Sequence, residues 1–159
     1  MQITIVAVGK IKEKYLTMGI AEFVKRLTPF CRLSIIEVDD ERMPDNPSEA
    51  DKNKVLLREG ERIMKHIKDS AHLIVLDVVG KQASSEELAE KMSSLGLRGK
   101  SHITFAIGGA FGLSPELVKA ANETLSFSKM TFTHQMIRLL LVEQVYRGFK
   151  INRGEPYHL

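Results

Sequence analysis

The sequence predicts an α/β protein with a mostly parallel sheet of five to six strands and helices on both faces. Two observations predict it. Five short runs rich in Ile and Val recur along the chain: Ile3 to Val8, Leu33 to Val38, His72 to Val79, Ile103 to Ile107, and Leu125 to Phe127. Each has the length and composition of a strand. The stretches between them carry helical spacing or helix-start signals, and strands alternating with helices build parallel sheets covered on both sides.

The elements follow in order. After the first run, Tyr15, Met18, Phe23, Val24 and Leu27 suit one face of a helix. After the second, the charged, Pro-containing stretch Asp39 to Pro47 reads as a surface loop. Leu56, Gly60, Ile63 and Ile67 then recur at steps of four, three and four, and the charged remainder of that stretch reads as a solvated face. Ser84 with Glu87 forms a capping box ahead of Leu88, and Ser114-Pro115 places a cap and an N1 proline ahead of a further helix. A last helix spans about His134 to Lys150. At ~100° per residue, its Leu139, Leu141, Val142, Val145, Tyr146 and Phe149 cover an arc wider than one buried face needs, with Arg138 inside it. That breadth predicts a helix shared with a second copy of the chain, and it places Arg138 at that interface or on a ligand.

Length bounds the organisation. A chain of 159 residues buries about 70% of its unfolded surface as one domain, so residues 1–159 read as a single domain. An ordinary apolar content excludes disorder. The lone Cys31 forms no internal disulfide, which points to a reducing, cytoplasmic setting. No apolar run has the length of a signal-peptide core with its flanks or of a membrane span, so no membrane partner is expected.

The net charge of +3 is uneven along the chain. Residues 1–128 hold 18 Lys or Arg against 18 Asp or Glu, whereas the last 31 residues carry Lys129, Arg138, Arg147, Lys150 and Arg153 against Glu143 and Glu155. A basic end on a neutral body suggests a localised anionic partner.

Several chemistries drop out. Gly99-Lys100-Ser101 ends like a P-loop but has Ser94 where the first glycine belongs. No Cys/His cluster has zinc spacing, and G-x-S-x-G is absent. Three turns remain at the carboxyl ends of the expected strands, where open α/β sheets bind ligands. Gly108-Gly109-Ala110-Phe111-Gly112 is either a ligand loop or a plain tight turn. Leu76 to Gly80 is the second. Leu125 to His134 is the third, a polar loop with apolar anchors that suits an amphipathic cofactor, with Thr133 as a cap and His134 opening the helix. The tail adds Arg153 for phosphate, Tyr157 for stacking and the titratable His158, a set suited to RNA.

These motifs together resemble the ribosomal RNA large-subunit methyltransferase H family of the SPOUT superfamily. The resemblance runs through residues 5 to 10, Glu59-Gly60 with Arg62-Ile63, Leu76-Asp77 with Gly80, Gly108-Gly109 with Gly112, Leu125 to His134 with Arg138, Glu143-Gln144 with Tyr146-Arg147, and Pro156-Tyr157-His158. It implies a homodimer with a deep C-terminal trefoil knot, which uses S-adenosylmethionine and no metal. The implied reaction is methylation of N3 of a pseudouridine in the helix 69 loop of 23S rRNA, in the assembled 70S ribosome. The cofactor pocket it implies is Leu76, Gly108, Phe127, Ser128, Lys129, Met130, Thr131 and Phe132. Removing the N3 proton needs a base or a cation. The candidates are His158 as base or proton path, Tyr157 for stacking or hydrogen bonding, and Arg147 and Arg153 for phosphate or developing charge. Two positions depart from the family: Thr133 stands where many relatives have proline, and Leu159 where many end in a basic residue. The competing expectations are a nucleotide- or NAD-binding oxidoreductase and a non-catalytic RNA- or ribosome-binding protein.

Overall fold

The computed structural model describes residues 1–158; Leu159, one of the two departures, lies outside the described residues. Five strands form one parallel sheet in the order β2-β1-β4-β3-β5. They are β1 (Gln2–Val8), β2 (Arg32–Val38), β3 (His72–Gln82), β4 (His102–Ile107) and β5 (Glu123–Ser126). The helices are α1 (Lys14–Leu27), α2 (Glu49–Met64), α3 (Ser85–Leu97), α4 (Pro115–Ala120) and α5 (His134–Asn152).

The two-sided expectation holds. On one face, Ile3, Ile5 and Phe105 of the sheet pack with Ile20 of α1, Met92 of α3 and Val142 of α5. On the other, Val6, Val8, Val75 and Ala106 pack with Ile63 of α2 and Leu117 of α4. Alternate residues of β1 feed opposite cores, as the two-residue period of a strand requires. The signalled caps form as expected. Ser84 Oγ accepts from the Glu87 N–H while the Glu87 carboxylate accepts from the Ser84 N–H, and Ser114 Oγ accepts from the Leu117 N–H.

Three expectations need correction. In α1, Leu16, Ile20 and Leu27 are buried while Tyr15 and Met18 are 63% and 70% exposed. Steps of four and seven from Leu16 define the inner stripe, with Phe23 and Val24 at its margin. In α2, the solvated face contains one buried charge, Glu59, and Ile67 lies beyond the end of the helix. β3 continues past Val79, but Leu76 and Lys81 both pair with Leu125, so residues 77–80 bulge out of the ladder. Gly80 permits this, because a Cβ there would stand 2.9 Å from the Thr124 carbonyl carbon.

The broad apolar arc of α5 has an internal explanation. The helix lies between α1 and α3, and from His134 to Lys150 none of its residues is fully exposed. Arg138 is neither an interface nor a ligand arginine within this chain. It is 2% exposed, its Nη1 donates to Glu37 Oε2 at 2.5 Å and its Nη2 donates to the Gly9 carbonyl at 3.0 Å. The side chain therefore ties the start of α5 to the carboxyl ends of β1 and β2.

Arg138→Ala is expected to cost about 3 kcal/mol, the lower end for a broken buried pair, because the abandoned Glu37 is partly exposed and can hydrate. Urea unfolding measures it, and a loss under about 1 kcal/mol would show the pair to behave like a surface bridge.

Candidate functional site

Three loops converge at the carboxyl edge of the sheet: the β3 bulge, the 108–112 turn after β4, and the 127–133 connection from β5 to α5. Ladder pairing sets them side by side, since Leu76 pairs with both Ile107 and Leu125. Gly108 follows Ile107 directly. A Cβ on Gly108 would fall 2.2 Å from the Gly112 carbonyl oxygen, and Gly112 has φ +90°. The tightness of the turn itself thus explains these glycines.

Leu76, Asp77, Val78, Phe127, Ser128, Met130 and Phe132, with Leu125 and Ile137 behind them, line a small cavity of about 70 Å³. Of the expected cofactor residues, Leu76, Phe127, Ser128, Met130 and Phe132 meet here. Lys129 and Thr131 are exposed outside the lining, and Gly108 is buried behind it. The loop is held from within: Ser126 Oγ donates to the Ser128 carbonyl, and Ser128 Oγ accepts from the Met130 N–H, each at 3.0 Å. Thr133 Oγ1 accepts from the Met136 N–H and caps α5, a side-chain bond that proline could not make. Sequence reasoning missed Asp77 as a site residue. It is half-buried in this lining and has no ion-pair partner among the described residues. An apolar slot with one carboxylate suits an amphipathic ligand that carries positive charge.

The tail residues form a second cluster. Glu143 Oε1 accepts from the Tyr157 hydroxyl at 2.9 Å and from Arg147 Nη2 at 2.6 Å. The Arg147 guanidinium stands 4.7 Å over the Tyr157 ring, and its Nη1 donates to His158 Nδ1 at 3.1 Å. That bond assigns the ring proton to Nε2, which donates to Glu86 Oε1 at 2.7 Å. Burial, and then the bond to Glu143, raises the pKa of Tyr157; the Glu143 bond also raises that of Arg147. The Glu86 carboxyl is lowered by its own backbone N–H first and by His158 second. Arg153 does not join them: it sits 4.9 Å over the Phe30 ring and pairs with Glu155. Glu143 and Glu86 are members of this cluster to which the sequence reading gave no site role, although Glu143 belongs to a motif that carries the resemblance. The spacing of Glu143 and Arg147, one helical turn apart, is a signal for the first, whereas nothing local links Glu86 to His158.

The basic C-terminal end is largely neutralised within the fold. Arg138 is taken by Glu37, Arg147 by Glu143, and Lys150 and Arg153 by Glu155, which leaves Lys129 exposed on the loop. Counting charges along the chain could not see Glu37, which arrives from β2. No group of three or more His, Cys, Asp or Glu side chains among the described residues could hold a metal ion, and no helix of theirs is long and apolar enough to cross a membrane.

Comparison with known proteins gives the family. The family model described as "Predicted SPOUT methyltransferase" matches residues 1–158. The chain is 55% identical over 158 residues to the ribosomal RNA large subunit methyltransferase H of Clostridium novyi (strain NT), covering 99% of each chain. It is 57% identical to the protein of that name from Carboxydothermus hydrogenoformans and 56% identical to that from Acetivibrio thermocellus, with the same coverage. Among solved structures, a "probable methylase family protein" from Haemophilus influenzae Rd KW20 superposes with a TM-score of 0.54 at 15% identity, covering 99% of this chain and 70% of that one, which speaks to the fold alone.

Glu143→Gln removes the negative charge that opposes ionisation of Tyr157. The tyrosinate component that disappears in Tyr157→Phe is therefore expected to titrate at lower pH in Glu143→Gln than in the unchanged protein. Ultraviolet titration reads this, and an unmoved midpoint would detach Tyr157 from Glu143.

Proposed function

The chain belongs to the SPOUT methyltransferase family, and from that premise we propose that it is a ribosomal RNA large subunit methyltransferase. In this reading a cytoplasmic homodimer, each chain a single domain with a C-terminal trefoil knot, methylates N3 of a pseudouridine in the helix 69 loop of 23S rRNA within assembled 70S ribosomes. The observation that carries it is the meeting of Leu76, Phe127, Ser128, Met130 and Phe132 around one cavity beside the unpaired Asp77.

These residues fit S-adenosylmethionine in chemistry. Leu76, Phe127, Met130 and Phe132 offer apolar faces for a purine, the loop backbone offers donors and acceptors, and Asp77 offers a countercharge to a cationic ligand. The 70 Å³ cavity is well below the 300 Å³ or more of ordinary ligand pockets. Bound there, S-adenosylmethionine supplies an electrophilic methyl group.

The chain must supply position and a path for the N3 proton. Both nitrogens of His158 are engaged, so the ring accepts a proton only when Arg147 leaves Nδ1. An RNA phosphate or the developing imide anion is a partner able to draw Arg147 away. Nδ1 then takes the N3 proton while Glu86 accepts from Nε2–H and stabilises the imidazolium. Tyr157, held by Glu143, offers a ring for stacking. Arg153 serves only as an outer phosphate contact in this arrangement.

The tail cluster and the cavity share no residue, and Ile137 and Glu143 lie about 9 Å apart along α5. That separation favours a site in which one subunit grips RNA and its partner holds the cofactor. The exposed Tyr15 and Met18 are apolar surface that a second copy would cover. The knot in this reading comes from membership of the SPOUT family.

Labelled methyl transfer from S-adenosylmethionine is expected into intact ribosomes from cells lacking the activity, and less into subunits or naked rRNA. S-adenosylhomocysteine at a hundred times its Kd should stabilise the protein by about 2.7 kcal/mol, and NAD should not. Truncation after Glu155 is expected to keep that stabilisation and lower turnover by about 100-fold or more. Mixing Asp77→Ala with the truncated chain should restore activity in heterodimers. Unchanged turnover after truncation would sink the assignment of Tyr157 and His158, and stabilisation by NAD alone would replace the reaction class. Salt-sensitive RNA binding without any cofactor effect would leave only a binding protein.

A further inference from the structure

A second, larger crevice of about 840 Å³ opens at the same edge, among the ends of β1 and β2, the 109–111 turn, α2 and the start of α5. Its position follows from the topology. The chain leaves β1 for α1 on one face of the sheet and leaves the neighbouring β4 for α4 on the other, so the connections part and leave a gap. Gly109, Ala110 and Phe111 of the 108–112 turn line this crevice, and none of them lines the smaller cavity.

Two features of the crevice have no use inside the fold, and a third, the Phe111 ring, is used only in part, with Lys52 Nζ 5.9 Å from its centroid. On its floor Glu59 is 4% exposed; Oε2 accepts from the Glu41 N–H at 3.0 Å, while Oε1 is buried without a hydrogen-bond partner. A buried acceptor left this way is costly unless a ligand donor reaches it. At its mouth Lys10, Lys12 and Arg42 are exposed and form no ion pair among the described residues. On its wall the Phe111 ring is 43% exposed. Of the five carboxylates in the lining, Glu37 is spent on Arg138 and Glu41 on Arg58 and Arg62, which leaves Asp39, Asp40 and Glu59 without an ion pair among the described residues.

An acceptor in the depth, an aromatic face on the side and cations at the rim complement a nucleotide. We propose that the crevice takes an unpaired nucleotide of the substrate RNA that neighbours the methylated one. Its base lies on Phe111, a ribose hydroxyl or base N–H donates to Glu59 Oε1, and its flanking phosphates meet Lys10 and Lys12. The volume lies within the range of small-ligand pockets. Unstacked single-stranded bases are recognised by this combination of stacking, base-edge hydrogen bonding and phosphate charge. The proposal rests on the RNA-methyltransferase reading and extends it: the methylated base and a neighbouring base would be held at the same carboxyl edge of the sheet.

The test uses the full chain with Lys10→Ala/Lys12→Ala, Phe111→Leu and Glu59→Gln, none of which touches the cofactor lining or the tail cluster. For the lysine pair, KM for ribosomes is expected to rise about tenfold, and the salt dependence of log affinity to flatten by about one to two units. Phe111→Leu should raise KM at least about fivefold. In both, kcat and stabilisation by S-adenosylhomocysteine should be unchanged. Separately, each of the four nucleoside 5′-monophosphates is added to the unchanged protein. Amide resonances of Lys10, Glu59 and Gly109 are expected to shift with at least one of them, and to stay still in Glu59→Gln. A raised KM confined to the lysine pair, with Phe111→Leu silent, would reduce the crevice to surface charge and overturn the proposal. Shifts with mononucleotides but no change of KM would mark a site for free nucleotides and overturn its assignment to RNA. No shift and no change of KM would remove the site. If the unchanged protein transferred no methyl group to ribosomes, the parent reading would fail, and the mononucleotide shifts would still report on the crevice by themselves.

Discussion

The start of α5 is held by one buried guanidinium, and both candidate sites depend on where that helix starts. Arg138 reaches from α5 to Glu37 at the end of β2 and to the Gly9 carbonyl just beyond β1. Desolvating a guanidinium is expensive, and here its Nε is left without a partner. Two partners from neighbouring strand ends offset that cost only when both strands are in register, which makes the clamp specific for the assembled sheet. Its reach fixes the first turn of α5, and the first turn fixes the end of the 127–133 loop.

That loop closes the small cavity from one side, while His134 and Gln135, just after it, border the larger crevice from the other. Burial, and then the nearby Arg138 charge, lowers the pKa of His134, so a neutral imidazole faces the crevice at ordinary pH. The crevice thus sets a buried carboxylate, an imidazole and exposed lysines in one lining, with Asp39 and Asp40 beside them. The smaller cavity differs in kind: apart from Ser128 and Asp77 its walls are apolar, and its single charge, Asp77, is negative.

What could be read from the sequence divides by the range of the interaction. Ser84 with Glu87, Ser114 with Leu117, and Thr133 with Met136 are bonds three residues long, and each formed where its residue pattern placed it. The strand runs were legible for a related reason, since strands buried on both faces have to be apolar throughout. Arg138 with Glu37 and His158 with Glu86 join residues 101 and 72 positions apart, and no local pattern encodes such pairs. Tyr15 and Met18 misled because apolar spacing marks a face without saying what covers it. Glu59 misled in the opposite way: one charge among many on α2 looks solvated until the helix is docked and its carboxylate turns inward beside Gly109.

The charge distribution has the same lesson and a functional consequence. A surplus of cations in the last 31 residues points to the tail as the RNA-gripping surface, yet most of those cations already have carboxylate partners. Each such pair has to open before its arginine can meet a phosphate, so under the proposed RNA-methyltransferase reading the tail favours a ligand that supplies a matched acceptor over loose contact with arbitrary RNA. Lys10 and Lys12, which the sequence count assigned to the neutral body, have no such partner. Free cations on one loop can gather RNA electrostatically at little cost, whereas paired ones on another demand correct geometry before they engage. On that same proposed reading, an attracting loop and a discriminating tail would divide the labour, and a chain of this size would combine rapid encounter with selectivity without the strongly basic composition of many nucleic-acid-binding proteins.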